Sequence, residues 1–342
     1  MLEVSGGPST VLEIERAAWW YTVIRALVSV GCPEQLRDGP LAVAELAQRC
    51  DAHAPTLRRL LRAVAQTGLV RSLPADRYEL TSAGRELATG RTSLALKYNA
   101  DPEIWGAFGE LTETVRTGVA PFVLRNGNVY DYLADKPALS ALFDEFMEAG
   151  SEPIAASLAA LLAEDGEFPG AGTVVDVGGG KGTFTAAILR ADPSARGVIL
   201  DLARTASVAE HYLAGSGVAD RCEFVAGDFF AQVPAGADTY LLSHVLHNWN
   251  DEWATGILRS IRAAIPAHGR LLIVEQLLPD DDRPHYGKDI DIRMLTFSSG
   301  KERTDAEYFA LLAEAGFNPG RVAELASGRS LITATPEADL SA

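Results

Sequence analysis

The sequence predicts a doubly wound α/β domain that closes with an antiparallel hairpin and follows a mostly helical, winged-helix-like region. Three observations carry this. From Thr173 onward, short apolar runs alternate with helical stretches, the pattern of a parallel sheet covered on both faces. A glycine-rich turn, VDVGGGKGTF, joins the first run to the first helix. Before Thr173 most periodic segments have helical spacing.

Residues 12–30, LEIERAAWWYTVIRALVSV, are apolar on too many sides to face water. This helix, with Trp19, Trp20 and Tyr21, is expected to lie between domains or subunits. LAVAELAQRC and LRRLLRAVAQTGLV flank a break at DAHAPT, and Gly68 closes the second. LVRSL and YELT, turning around Pro74–Asp76, complete a helix-turn-helix with a wing. Residues 1–100 are read as this unit, and 101–165 as linking helices with loops near Gly118–Pro121 and Asn126–Asn128.

Residues 166–342 form the α/β domain, with TVVDV, GVILD, CEFVA, DTYLLS and RLLIVEQ as strands. TFTAAILRA and WATGILRSIRAAI are two of its helices. Thr304-Asp305-Ala306-Glu307 has the capping-box pattern that opens another. RVAELA and RSLITAT lie close enough for the terminal hairpin.

Composition narrows the function. MLEVSGGPST lacks the basic start and apolar core of a signal peptide, and no run approaches the roughly 18 apolar residues of a membrane helix. Cys32, Cys50 and Cys222 are odd in number and far apart, which suggests reduced thiols in the cytoplasm and no metal cluster. The net charge of −16 disfavours nucleic acid or an anionic membrane as partner. Over residues 1–100, 12 basic against 10 acidic residues give +2, so the remainder carries −18.

Gly178, Gly180 and Gly182 follow a strand and precede a helix, where the backbone must turn tightly and approach a ligand. The spacing is not that of a Walker A loop, so Lys181 is no phosphate lysine. A dinucleotide and S-adenosylmethionine both remain open. Asp201, 19 residues beyond Gly182 with Leu202 beside it, suits ribose hydroxyls in either cofactor. Asp228 in GDFF suits an adenine amino group, with Phe229 beside the ring. Gly178, Asp201, Asp228, Ser243 and Glu275 all fall at or just past strand carboxyl ends, the edge where open α/β sheets bind ligands.

After the fourth strand the chain reads LLSHVLHNWNDEW. His247 is either a general base oriented by a carboxylate or a loop histidine preceding a helix capped by Asn250 or Asp251. The residues alone leave both open.

VDVGGGKG, ILDL, GDFF, LHNWNDE, LIVEQ and DIRMLTFSSGKERT together resemble the caffeate/isoflavone-type O-methyltransferases. They are more similar still to bacterial enzymes that methylate polyketides, phenazines and other aromatic natural products. The resemblance spans nearly the whole chain, and Asp176 gives the glycine loop the D-x-G-x-G-x-G form of methyltransferases. It implies S-adenosylmethionine as cofactor, a homodimer built on the N-terminal winged helix, and no metal. It makes His247 the base that deprotonates a substrate hydroxyl, flanked by Glu275 and Glu302. It assigns Gly178, Gly180, Asp201, Leu202, Asp228, Phe229 and Trp249 to the cofactor, and Ser151 to its carboxylate. Ser243 stands where many members have lysine, so its cofactor contact would carry no charge. Trp105, Phe143, Phe146, Met147, Met294 and Ser298 would line a flat apolar substrate pocket, although helix-core packing explains each aromatic or Met as simply.

Three rivals stand beside this reading. The helix-turn-helix, with Arg58, Arg59 and Arg62, would make the chain a DNA-binding regulator, though +2 is a weak footprint. A fold relative could keep the cofactor yet hydroxylate or decarboxylate, which retention of His247 argues against. A nicotinamide oxidoreductase could share the glycine loop.

Overall fold

The computed structural model describes residues 8–166 and 172–338. Residues 1–7, where the sequence shows no leader pattern, lie outside them. The chain divides into two compact units. One takes residues up to Gly109 together with Tyr132–Ala149; the other takes Glu110–Asp131 and everything from Gly150 onward.

In the first unit, the expected long helix runs Pro8–Ser29. Helices Val43–Arg49 and Ala54–Ala65 follow, the second with a strongly one-sided apolar face through Leu57, Leu61 and Val64. Gly68 lies beyond its end at φ +77°, a turn that a residue without Cβ makes freely. The wing is a three-stranded antiparallel sheet of β1 (Leu41–Ala42), β2 (Val70–Leu73) and β3 (Arg77–Leu80), in the order β1-β3-β2. Leu27, Val43, Leu46, Leu61, Val64 and Tyr78 form its core. Trp19 remains 62% exposed on the long helix.

The second unit is built on seven strands. These are β4 (Thr173–Val177), β5 (Arg196–Asp201), β6 (Cys222–Ala226), β7 (Thr239–Ser243), β8 (Arg270–Glu275), β9 (Phe317–Glu324) and β10 (Ser330–Pro336). Their order is β6-β5-β4-β7-β8-β10-β9, with the first five parallel. The terminal hairpin is antiparallel as expected, and its last strand inserts between β8 and β9.

Alternation along the buried strands divides the core between the two sheet faces. Val174, Leu241 and Leu272 pack on one face against Ile188 and against Ile154, Leu158 and Leu162 of the helix Pro137–Glu164. Val175, Tyr240, Leu242, Leu271 and Ile273 pack on the other against Ile257, Leu258 and Ile261 of the helix Asp251–Ala264. The chain enters at the central β4, moves outward to β6, then returns to β7 on β4's other side. This reversal leaves a crevice between the carboxyl ends of β4 and β7, the usual ligand site of such sheets.

Candidate functional site

At the end of β4 the chain enters the glycine loop. Gly178, Gly180 and Gly182 have φ of +71°, +57° and +88°, a region costly for most side chains. Gly182 also permits close helix packing, since a Cβ there would meet Ile199 Cδ1 at 2.3 Å. Beneath the loop Asp176 is buried and accepts from Thr185 Oγ1 at 2.7 Å. Burial pushes its carboxyl up to about 7, the Thr185 hydrogen bond opposing and the Asp201 charge adding to the rise.

Asp201 closes β5 and ties the loop together. Its Oδ2 accepts from Gly180 N at 2.8 Å, and its Oδ1 from Leu202 N at 2.7 Å. Carboxylate oxygens have several acceptor positions each, so capacity for ribose hydroxyls remains. Asp228 is exposed two residues beyond β6, and Phe229 lies against Gly178, where a Cβ would meet Phe229 Cε1 at 3.4 Å. Trp249 joins the same aromatic group, edge-on to Phe230 at 4.9 Å and to Phe229 at 6.3 Å. Asp176 pairs with Leu241 across β4 and β7, so Gly178 and Ser243 emerge side by side. Ser151 stands half-buried on the helix Pro137–Glu164, and none of its described contacts joins it to the glycine loop.

His247 lies in a short 3₁₀ turn after β7, buried among carboxylates. Its Nδ1 is 3.0 Å from Glu302 Oε1 and 3.4 Å from Glu275 Oε2, and both carboxylate side chains are fully buried. An ionised carboxylate only accepts, so Nδ1 carries the proton and Nε2 keeps a lone pair for a substrate. Glu275 Oε1 accepts from the backbone N–H groups of Val245, Leu246 and His247 at 3.1, 2.9 and 3.4 Å, which fixes the turn. Burial is the largest influence on His247 and disfavours its charged form; Glu275 and Glu302 together outweigh it, and the imidazole is held above its usual value. Burial also raises the Glu275 carboxyl. Asn250 caps the next helix, accepting from Trp253 N at 3.0 Å, so the two readings of this loop are compatible. The three donors lie within 4.8 Å of one another, close enough to share a cation. A cation there would have to displace the proton that Nδ1 directs at Glu302.

The proposed substrate residues fall in both units. In the first, Trp105 stacks on Tyr21 at 4.9 Å under the Arg25 guanidinium, and Phe143 and Phe146 lie 5.3 and 6.4 Å from the Tyr98 ring. Met147 is exposed. In the second, Met294 is half-buried on the helix Tyr286–Phe297. The Ser298 hydroxyl closes that helix, donating to Met294 O at 3.1 Å and accepting from Gly300 N at 3.1 Å.

The O-methyltransferase domain family matches residues 108–318, and the O-methyltransferase dimerisation domain matches residues 16–90. The chain belongs to the O-methyltransferase family. Over 332 residues it is 35% identical to a phenazine O-methyltransferase of Lysobacter antibioticus, covering 96% of each protein. Among solved structures it is similar to the mitomycin 7-O-methyltransferase MmcR, with TM-score 0.90, 35% identity and coverage of 96% of this chain and 97% of that one. It is also similar to the neocarzinostatin-pathway O-methyltransferase NcsB1, solved with S-adenosyl-L-homocysteine and 1,4-dihydroxy-2-naphthoic acid. There the TM-score is 0.81 and the identity 32%, over 92% of this chain and 95% of that one. The dimerisation domain occupies the segment that reads as a helix-turn-helix, and Arg58 there is paired with Asp76. The regulator reading is set aside.

The His247 turn is also held by residues that sequence reasoning passed over. Gly300 presses the Glu302 loop onto the His247 turn: a Cβ there would lie 1.9 Å from His247 O and 2.7 Å from Trp249 N. Arg303, fully buried, donates to Leu246 O, Trp249 O and Asp251 Oδ1 at 3.1, 2.8 and 2.8 Å, clamping the same turn. Asp291 accepts from Glu302 N at 2.8 Å. Gly300 and Arg303 stand in the quoted SSGKERT segment, but a loop glycine and a loop arginine carry no sequence sign of such contacts.

Proposed function

We propose that this O-methyltransferase moves the methyl group of S-adenosylmethionine onto a hydroxyl of an aromatic small molecule, with His247 as general base. The observation that carries the proposal is the Nδ1 of His247 set between two buried carboxylates, which leaves Nε2 as the proton acceptor. Relatives named for a phenazine and for mitomycin, and one solved with a naphthoic acid, support a fused-ring acceptor in natural-product tailoring.

The residues at the β4–β7 crevice fit the cofactor. Gly180 has open space where a side chain would stand, Asp201 waits at the end of β5, and Phe229 flanks Gly178. Gly178, Gly180, Asp201, Leu202, Asp228, Phe229, Ser243, Trp249 and Ser151 would hold it. When bound, S-adenosylmethionine supplies an electrophilic methyl group on a sulfonium.

His247 Nε2 would take the proton of the substrate hydroxyl, and the oxygen would then accept the methyl group, with the S–CH3 bond broken and S-adenosyl-L-homocysteine as the leaving group. Glu275 and Glu302 stabilise the imidazolium as it forms. Positioning of the two reactants does the remaining work, with Trp105, Phe143, Phe146, Met147, Met294 and Ser298 as the substrate-lining set. The mechanism asks for no metal. No helix of the described residues is long and apolar enough to cross a membrane, and three unpaired cysteines suit a reducing cytoplasm. The dimerisation domain supports a homodimer, in which Trp19, exposed on the long helix, and its apolar neighbours would be buried.

The test is incubation with S-adenosylmethionine and a panel of phenazines, quinones and phenolic polyketides, read by mass spectrometry. Gain of one methyl group on a hydroxyl supports the proposal. Turnover only on amines, or on none, contradicts it.

A further inference from the structure

Ser243 and His244 lie at the switch point of the sheet, beside the glycine loop, and the backbone of His244 is unusual. Its φ is +55°, the left-handed region that non-glycine residues seldom enter. Three contacts hold it there. Its N–H donates to Val274 O at 3.1 Å, its carbonyl accepts from Asn248 Nδ2 at 3.0 Å, and its ring Nε2 accepts from Arg329 Nε at 2.9 Å. Strain of this kind persists only where the surroundings over-determine it, and it concentrates at functional sites.

The Arg329 contact decides more than position. A guanidinium only donates, so Nε2 of His244 must present a lone pair, and the proton of the neutral ring must sit on Nδ1. Nδ1 is 3.3 Å from Ser243 Oγ. The Ser243 oxygen therefore accepts from the ring, and its own hydroxyl hydrogen is turned away from His244. Arg329 is held in turn: it donates to Gln276 Oε1, and Gln276 Nε2 donates to Gly328 O at 2.6 Å. Arg329 and Gln276 are both buried, and among the described residues no carboxylate lies within ion-pair distance of Arg329. The Glu275 carboxyl feels the Arg329 charge, which favours its ionised form, while the hydrogen bonds of the guanidinium go to His244 and Gln276.

We propose that Gln276, Arg329 and His244 are positioning residues, a hydrogen-bonded chain that fixes the Ser243 hydroxyl as a donor aimed at an acceptor oxygen of the bound cofactor. The inference rests on the assignment of Ser243 to the cofactor. It gives a short, uncharged side chain a defined part at the cofactor: the donor is aimed, not charged.

The experiment measures the affinity of S-adenosyl-L-homocysteine by calorimetry for wild type, Ser243→Ala, His244→Leu, His244→Asn and the Ser243→Ala/His244→Leu double variant. Ser243→Ala and His244→Leu should each weaken binding by about 3- to 10-fold, the worth of one hydrogen bond. The double variant should lose no more than the weaker-binding single, because both remove the same donor. His244→Asn should fall between wild type and His244→Leu: its amide can still donate to Ser243 and Asn tolerates the left-handed backbone, but without Arg329 nothing fixes which end of the amide faces Ser243. It loses the reach to Arg329, so a merely structural tie would make Asn and Leu equally damaging. Imidazole ¹⁵N resonances should show the His244 proton on Nδ1 alone. Multiplying losses in the double variant, equal damage from Asn and Leu, or a proton on Nε2 would each overturn the chain. If Ser243→Ala alone has no effect while His244→Leu does, the assignment of Ser243 to the cofactor is what fails.

Discussion

Two groups of carboxylates stand at the same edge of the sheet and are treated in opposite ways. Asp201 and Asp228 remain wholly or partly in solvent, and both accept backbone N–H groups that shape the loops around them. Glu275 and Glu302 are fully buried around His247, and one oxygen of each lacks a hydrogen bond. The difference matches the work proposed for each group. An acid that holds a cofactor needs only to accept hydrogen bonds, which a solvated carboxylate does at little cost. An acid that makes imidazole a stronger base must act through its charge, and charge acts more strongly where water is excluded.

The broadest way to break this comparison is to cross one variant from each group. His247→Asn should lower kcat by about 10²- to 10⁴-fold, the usual cost of losing a general base, with cofactor affinity nearly unchanged. Asp201→Ala should do the reverse, weakening S-adenosyl-L-homocysteine while leaving the pH dependence of the chemical step in place. A phenol titrates near ~10, so an analogue acidified by an electron-withdrawing group needs no base and should lose far less with His247→Asn. Equal losses on both substrates would remove His247 from proton transfer.

A narrower perturbation tests the support of the base. Gly300→Ala puts a methyl group into the His247 backbone, and a displacement of about an ångström in the Glu302 loop should reduce kcat by about tenfold or more. Calorimetry with S-adenosyl-L-homocysteine should register a smaller loss than kcat, since of the proposed cofactor residues the clash reaches only the Trp249 backbone. A fully active Gly300→Ala enzyme would mean that the loop yields without cost.

The smallest expected effect concerns stability. Asp176 titrates near 7 when folded, above its unfolded value of 3.8, so the folded state binds its proton more tightly. Its favourable contribution is complete below pH 3.8 and is lost as pH rises through 7. Asp176→Asn keeps an acceptor for Thr185 and removes that loss, so its Tm relative to wild type should improve between pH 5 and pH 8. The gain should correspond to on the order of 1–4 kcal/mol at most. A constant offset across that range would mean Asp176 is ionised throughout.

The parts of the molecule visible in sequence are those that local chemistry dictates. TVVDV, GVILD and RLLIVEQ emerge as β4, β5 and β8 within a residue or so, because buried parallel strands are continuous apolar runs bounded by turns. The capping box at Thr304 forms as its residues require. The insertion of β10 beside β8 is not written locally, since strand order depends on pairing across the chain. Glu302 shows the same limit at the site. It stands 55 residues from His247 in a polar loop, and only the family resemblance singled it out. Aromatic residues at helical spacing were ambiguous for another reason. A ring against Tyr98, such as Phe143, fills a core and lines a pocket with the same sequence pattern.

The central claim is that two buried carboxylates raise the basicity of His247, and the pH profile of kcat/KM for an unactivated phenol tests it most directly. The rate should rise with pH through a limb whose apparent pKa lies above 6.5, since the imidazole must lose its proton before it can act. Glu302→Gln removes one of the charges favouring imidazolium, so the limb should move to lower pH as burial prevails. A wild-type limb at or below 6.5, or one that Glu302→Gln leaves in place, would contradict the account.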